Sequence, residues 1–365
     1  MKFTSNGLSL AEAVLKVSKA CAVRTTAPVM ECIKIGAKGD TVSLLATDGE
    51  LSIEKTIKAE VLEEGAVCVP GKLFTDFIGK LSGEEVCVTT GERGVEIKYR
   101  DSGSYMQAIS AEEFPEINLT VGEDSFVLKQ GDFKKIVAKT AFCCAQDDSR
   151  PVLKGCLMEF KDKLEMTALD GFRLALSETA VISKSGEKNI ICPARTLNEI
   201  ARMLPGEDEE VTVYADGGTL LVKSDTTTVV SRLYQGDFIK RQNVVPTQFT
   251  TVVTVTREEL VASAERAAIL IRGDKNNLVT LEIGSEKVKI SSVSDYGNVA
   301  EAIAASVEGV DLTISMNAKY LLDALRALEE EKVTISFNGA ISPFILQNYE
   351  KKDSLYLILP VRNAS

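Results

Sequence analysis

The sequence contains no histidine and no tryptophan. Without histidine it lacks the side chain that most often serves as general base and as metal ligand near neutral pH. Ser-His-Asp and Cys-His nucleophilic mechanisms are therefore excluded. There is no P-loop, no G-x-S-x-G, no dinucleotide fingerprint and no C-x-x-C pair. No apolar run approaches the ~18 residues of a membrane span. The opening MKFTSNGLSL lacks the apolar stretch of a secretory signal. A cytoplasmic protein without a bound cofactor and without a catalytic site is the expectation. Positive charge is also in deficit, at 42 Lys and Arg against 53 Asp and Glu, for a net charge of -11. Taken whole, that balance argues against a protein that coats nucleic acid with its surface.

Eight cysteines are present, none in the last third: Cys21, Cys32, Cys68, Cys87, Cys143, Cys144, Cys156 and Cys192. Most sit in apolar strand or helix patterns, which reads as buried free thiols in a reducing compartment.

What the chain has in abundance is repetition. A short strand followed by an amphipathic helix begins near residues 3, 126 and 252. Each copy then reaches a strand and a tight acidic turn, at Asp48-Gly49, Asp170-Gly171 and Asp295. Each closes with a second strand-helix pair: VCVPGKLFTDFIGKLSG, ICPARTLNEIARML and ISMNAKYLLDALRAL. A period of roughly 120 residues is far too long for a solenoid and indicates three similar domains. The expected boundaries are 1–122, 123–249 and 250–365. Two helices per copy on alternating strands predict an α+β fold with antiparallel sheet.

Charge is segregated along this repeat. Helical spacing buries Leu10, Val14 and Val17 in the first helix and Leu321, Leu322 and Leu325 in the last. In or beside the six helices lie Lys16, Lys19, Arg24, Lys72, Lys80, Lys134, Lys135, Lys139, Arg195, Arg202, Arg257, Arg266, Arg272, Lys319 and Arg326. Those fifteen cations face eight acids, so the helices are net positive in a net-negative chain. The acid falls instead on strands and loops such as EVLEEG and GEDEE. Ordinary mixed surface charge explains any one helix. Six together point to helices that face a polyanion. The Asp-Gly pairs read as hairpin turns. A carboxylate-only metal site on Asp48, Glu50 and Asp170, or a scaffold that does not bind DNA, are the alternatives.

The chain closely resembles the bacterial sliding-clamp family, the beta subunits of DNA polymerase III. The resemblance rests on MKFT at the start, Arg24 followed by Pro28, PGKLFTDFI at 70–78 and EEFPEI at 112–117. It continues through Arg150-Pro151-Val152-Leu153-Lys154-Gly155, ALDGFRLAL at 168–176, RAAIL at 266–270, NAKYLLDAL at 317–325 and YLILPVR at 356–362. In this order and spacing the pieces cover essentially the whole chain. Asn363-Ala364-Ser365 extends past the usual end.

The resemblance implies a head-to-tail homodimer whose six domains close a ring around double-stranded DNA. It implies DNA-contact roles for Arg24, Lys72, Arg150 and Arg195, with Lys139 and Arg202 added from their helix positions. It implies partners that dock through short peptides: the polymerase III alpha subunit, the clamp-loader complex, and other polymerases and repair proteins. Their pocket maps to Leu153, Leu169, Gly171, Phe172, Arg173, Leu174, Val244, Asn317, Tyr320, Ile341, Pro343, Leu357, Ile358, Leu359, Pro360, Val361 and Arg362. Aliphatic walls with a few polar groups suit such peptides, and Arg173 and Arg362 are read as the groups least easily explained as core. The ring interface is expected where Tyr105 and Met106 of one chain meet Ile269 and Leu270 of the other.

Overall fold

The computed structural model describes residues 1–92, 94–119, 122, 124–273 and 277–362. The extension Asn363-Ala364-Ser365 lies outside the described residues. Six α-helices are present among them: α1 (Gly7–Val17), α2 (Gly71–Ile78), α3 (Gln130–Thr140), α4 (Ala194–Met203), α5 (Arg257–Leu270) and α6 (Ala318–Ala327). All sheet pairing between the strands is antiparallel. The fold is α+β, as the strand-helix rhythm predicts. None of the helices is long and apolar enough to cross a membrane.

The repeat survives at the level of single hydrogen bonds. The first residue of α1, α3 and α5 donates its backbone N–H to the residue that precedes a strand: Gly7 to Glu84, Gln130 to Glu209 and Arg257 to Glu331, each at 2.8 Å. At Gly7 the approach is so close that a Cβ would run into the Leu81 carbonyl, so glycine is required there. The apolar stripes are buried as their spacing predicts. Leu10, Val14 and Val17, then Phe133, Ile136 and Val137, then Leu321, Leu322 and Leu325 all lie in the core. Asn6 caps α1 by accepting from Leu8 and Ser9 N–H, and Asn317 caps α6 by accepting from Lys319 and Tyr320 N–H.

Compactness divides the chain into two units. The first comprises Met1–Gly131, Ile182–Gly186 and Glu199–Leu233. It holds a five-stranded sheet that ends on the strand Ser102–Gln107, and a ten-stranded sheet. In the ten-stranded sheet Leu51–Lys58 of the first repeat pairs with Thr227–Arg232 of the second. The second unit comprises Asp132–Val181, Glu187–Asn198 and the chain from Tyr234 onward, and holds one twelve-stranded sheet. There Arg173–Ala180 of the second repeat pairs with Ser354–Ile358 of the third. The strands of the middle repeat are thus shared between two sheets, because at each of these repeat junctions the sheet runs on without a break.

The acidic turns are built as expected. Gly49 and Gly171 occupy the first central position with φ of 89° and 92°, a conformation that favours glycine. Asp48 Oδ1 accepts from the N–H groups of Glu50 and Leu51, and Asp170 Oδ1 from those of Phe172 and Arg173. These aspartates close turns, and no group of three or more metal-ligating side chains occurs among the described residues. Of the cysteines, Cys32, Cys68, Cys143, Cys144, Cys156 and Cys192 are buried, Cys21 and Cys87 are half-buried, and all are free thiols. Burial pushes the Cys21 and Cys68 thiols up to about 12, which suppresses the reactive thiolate.

Candidate functional site

An apolar cluster forms in the second unit beside the turn Asp170-Gly171. The turn holds Phe172 outward, where its ring is 61% exposed. The strand that follows pairs with the last strand of the chain, Leu174 opposite Leu357 and Arg173 opposite Ile358. Leu359 N–H then donates to the Phe172 carbonyl at 2.9 Å, and Val361 N–H to the Ser315 carbonyl at 2.8 Å. These bonds anchor Leu359 to the turn and Val361 to the strand Leu312–Asn317. Leu153, Leu169, Leu174 and Leu357 converge in one buried cluster with Ala145 and Ile345. Val152, Phe238, Ile239, Val245 and Phe249 pack against it. Phe172, Val244, Ile341 and Leu359 keep apolar side chains in solvent. Pro343, Pro360 and Val361 are half-buried, and Gly171 and Arg362 are exposed.

Arg173 corrects the sequence reading. Its side chain is buried, because strand alternation turns Arg173 and Ile358 away from the face that Leu174 and Leu357 share. Its Nε donates to Asp170 at 3.0 Å, one terminal nitrogen to Asp323 at 2.7 Å and the other to the Phe142 carbonyl at 2.9 Å. The guanidinium also lies over the rings of Tyr320, at 4.5 Å, and Phe142, at 5.4 Å. Burial, with the Asp170 charge next, raises the Tyr320 phenol above its usual range. Arg173 is therefore a tie between this strand and α6, and each of its three guanidinium nitrogens donates within the protein. Asn317 is likewise engaged, as the cap of α6.

The helix cations divide into two kinds. Lys139 is buried, with Nζ 3.1 Å from Glu329 and 3.9 Å from Asp353. Its charge is engaged by the protein's own carboxylates, which counts against the DNA-contact role expected from its helix position. The spacing that placed it off the apolar stripe of α3 did not show the carboxylates packed against it. Arg24, Lys72, Arg150, Arg195 and Arg202 are all exposed. Arg202 pairs with Glu199 one turn earlier. On α5, Arg266 is committed to Glu301, whose carboxyl is held down at about 2 by that hydrogen bond and a second from Ser263.

Lys72 and Arg195 share a position that the repeat makes visible. Each is the second residue of its helix, α2 and α4, and Lys319 is the second residue of α6. All three are exposed. The positive end of the helix dipole disfavours a cation there by ~0.3–1 kcal/mol. Three repeats nevertheless keep a cation there.

The comparisons with known proteins follow the same three-part division. Family models of the DNA polymerase III beta subunit match its N-terminal domain over residues 1–119, its central domain over 127–240 and its C-terminal domain over 242–362. The chain belongs to the DNA polymerase III beta subunit family. It is 32% identical over 356 residues to the beta sliding clamp of Staphylococcus epidermidis, with 94% of each chain covered. Among solved structures it is similar to the DNA polymerase sliding clamp of Bacillus subtilis, with 30% identity, a TM-score of 0.96, and 100% and 99% of the two chains covered. The Pseudomonas aeruginosa clamp bound to griselimycin superposes with a TM-score of 0.94 at 26% identity, covering 99% of each chain.

Within this beta-subunit fold, sequence reasoning missed part of the groove floor. Phe238, Ile239 and Phe249 lie in a Gln-, Asn- and Pro-containing stretch with no strand alternation. Isolated apolar residues in such a polar connection were the available signal. Asp323 and Phe142, which hold Arg173, were also missed, since Asp323 reads as a surface acid of α6. Lys319 was read as a helix cation but not as the third member of the Lys72 and Arg195 series.

Proposed function

We propose that this chain is a sliding clamp, a homodimeric ring that encircles duplex DNA and tethers the replicative polymerase to it. The observation that carries the reading is the cation at the start of the second helix in every repeat. Phosphate contacts hold DNA without reading sequence, and contacts from exposed, partly neutralised cations are weak enough to slide. Retention then comes from topology. The three repeats are proposed as domains 1–122, 123–249 and 250–365. The chain would have no catalytic site of its own and would act in the cytoplasm. Arg24, Lys72, Arg150, Arg195 and Arg202, with Lys319, are the proposed DNA contacts.

Head-to-tail closure is supported by strand edges. The strand after the acidic turn of each of the first two repeats pairs with the last strand of the following repeat. The corresponding strand of the third repeat, Gly297–Gly309, pairs through its first half only with Lys287–Ser294. Among the described residues, the last strand of the first repeat, Ser102–Gln107, pairs only with Gly94–Tyr99. These two open edges complete each other across a dimer, which also removes the hazard of unpaired edges. Ser231 sits opposite Leu51 and Ile358 opposite Arg173. We take the same antiparallel pairing across the dimer, with Met106 opposite Gly297 of the partner and Tyr105 beside it. Ile269, exposed at the end of α5 with half-buried Leu270, would pack over this seam.

The Leu153, Leu169, Leu174 and Leu357 groove, rimmed by Phe172, Val244, Ile341, Leu359, Pro360 and Arg362, is the proposed docking site for partner peptides. They would come from the polymerase III alpha subunit, the clamp loader, and other polymerases and repair proteins. The griselimycin-bound clamp of Pseudomonas aeruginosa supports a ligand groove in this family. Solution mass by light scattering, with negative-stain electron microscopy of the same sample, tests the reading. A two-chain particle with a central hole is expected, and a monomer at high concentration would refute it.

A further inference from the structure

The first unit contains a second groove, at the place in the repeat that corresponds to the docking groove. It is a cavity of about 510 Å³ beside the turn Asp48-Gly49, within the size range of ligand pockets. The backbone framework is the same. Arg232 N–H donates to the Glu50 carbonyl at 2.9 Å, as Leu359 N–H does to Phe172. Val230 lies opposite Ser52, as Leu357 lies opposite Leu174.

The side chains differ in kind. Met30, Leu221 and Val230 keep an apolar wall. Where the first groove has Phe172, Leu174 and Leu359, this one has Glu50, Ser52 and Arg232. Asp216 and Glu116 add two further carboxylates to the lining, so acids outnumber the single arginine by three to one. Glu50, Glu116 and Asp216 are exposed, so their charge faces an incoming ligand.

We infer that this groove is a second peptide-docking site, which takes a short segment carrying one apolar anchor flanked by lysine or arginine. The apolar wall accepts the anchor, and the carboxylates select the flanking cations. The acidic groove thus excludes peptides whose anchors are flanked by acids, and the two sites of one chain sort partners by charge. The inference uses the docking role proposed for the first groove only as a parallel, and the second site can fail while the ring stands.

The absence of tryptophan from the chain provides the test. The probe is a capped pentapeptide, Gly-Lys-Trp-Lys-Gly, with a Glu-flanked twin, titrated into the full-length protein while Trp emission is read. Methionine-methyl NMR reports location, since Met30 lines the groove. The Lys peptide is expected to give a saturable blue shift and to move the Met30 signal, and the Glu twin neither. Glu50→Lys with Asp216→Lys should weaken the Lys peptide by roughly ten-fold or more while light scattering shows unchanged mass. No saturable binding, binding that leaves the Met30 signal in place, or affinity unchanged by the charge reversal would each overturn the inference.

Discussion

The Arg173 guanidinium donates to the Asp323 carboxylate across 2.7 Å, and this bond ties the strand that lines the groove to helix α6. A second bond from the same guanidinium holds Asp170, so the turn that presents Phe172 and the helix below it share one cation. Removing it takes one donor from each of two half-buried carboxylates, while Asp170 keeps the Phe172 and Arg173 N–H groups and Asp323 keeps Lys319. Arg173→Met should cost about 1–3 kcal/mol of stability. Chemical denaturation checks this, and a midpoint unchanged from wild type would show that the tie carries no energy.

Lys139 and Lys72 should separate cleanly. Lys139→Met breaks pairs with half-exposed carboxylates and should lower stability by about 1–2 kcal/mol, with no change in the salt dependence of DNA retention. Lys72→Glu should leave stability within about 0.5 kcal/mol but make the retained complex more sensitive to salt. The two variants compared by thermal melting and by salt titration on DNA give opposite patterns if the assignment is right.

In the proposed docking site the exposed rim is the clean probe. Phe172→Ala and Leu359→Ala should each weaken a clamp-binding peptide by about 1–2 kcal/mol with little effect on folding. Leu174→Ala and Leu357→Ala remove buried floor and should destabilise the unit by about 2–5 kcal/mol, so loss of binding there is ambiguous. Calorimetry of peptide binding to the rim variants decides the matter, and full affinity in both would place the site elsewhere.

The proposed interface predicts a specific register. Met106 opposite Gly297 sets Ser104 opposite Val299, so Ser104→Cys with Val299→Cys should give a covalent dimer on mild oxidation, and neither single variant should. Ile269→Asp with Leu270→Asp should yield folded monomers. Absence of cross-linking in a protein that remains dimeric would mean that other strands form the seam.

Much of this was legible in the sequence because it rests on local rules. Apolar spacing located the six helices, alternation located the strands, and Asp-Gly located the turns, since each depends on a few neighbouring residues. Arg173 and Lys139 were misread because a charged residue between apolar ones looks solvent-facing until its distant partners are known. Asp323 lies 150 residues from Arg173, and Glu329 and Asp353 lie farther still from Lys139. The open half of Gly297–Gly309 was not legible either, because alternation marks a strand but not which of its edges is paired.

Topological retention is the central claim, and one measurement addresses it directly. The protein is loaded onto a nicked circular plasmid by an ATP-driven clamp loader, separated from free protein by gel filtration at moderate salt, and the plasmid is then cut once with a restriction enzyme. The account predicts that protein co-elutes with the circle and is released when the DNA is made linear. Retention on the linear product, or no retention on the circle, would contradict it.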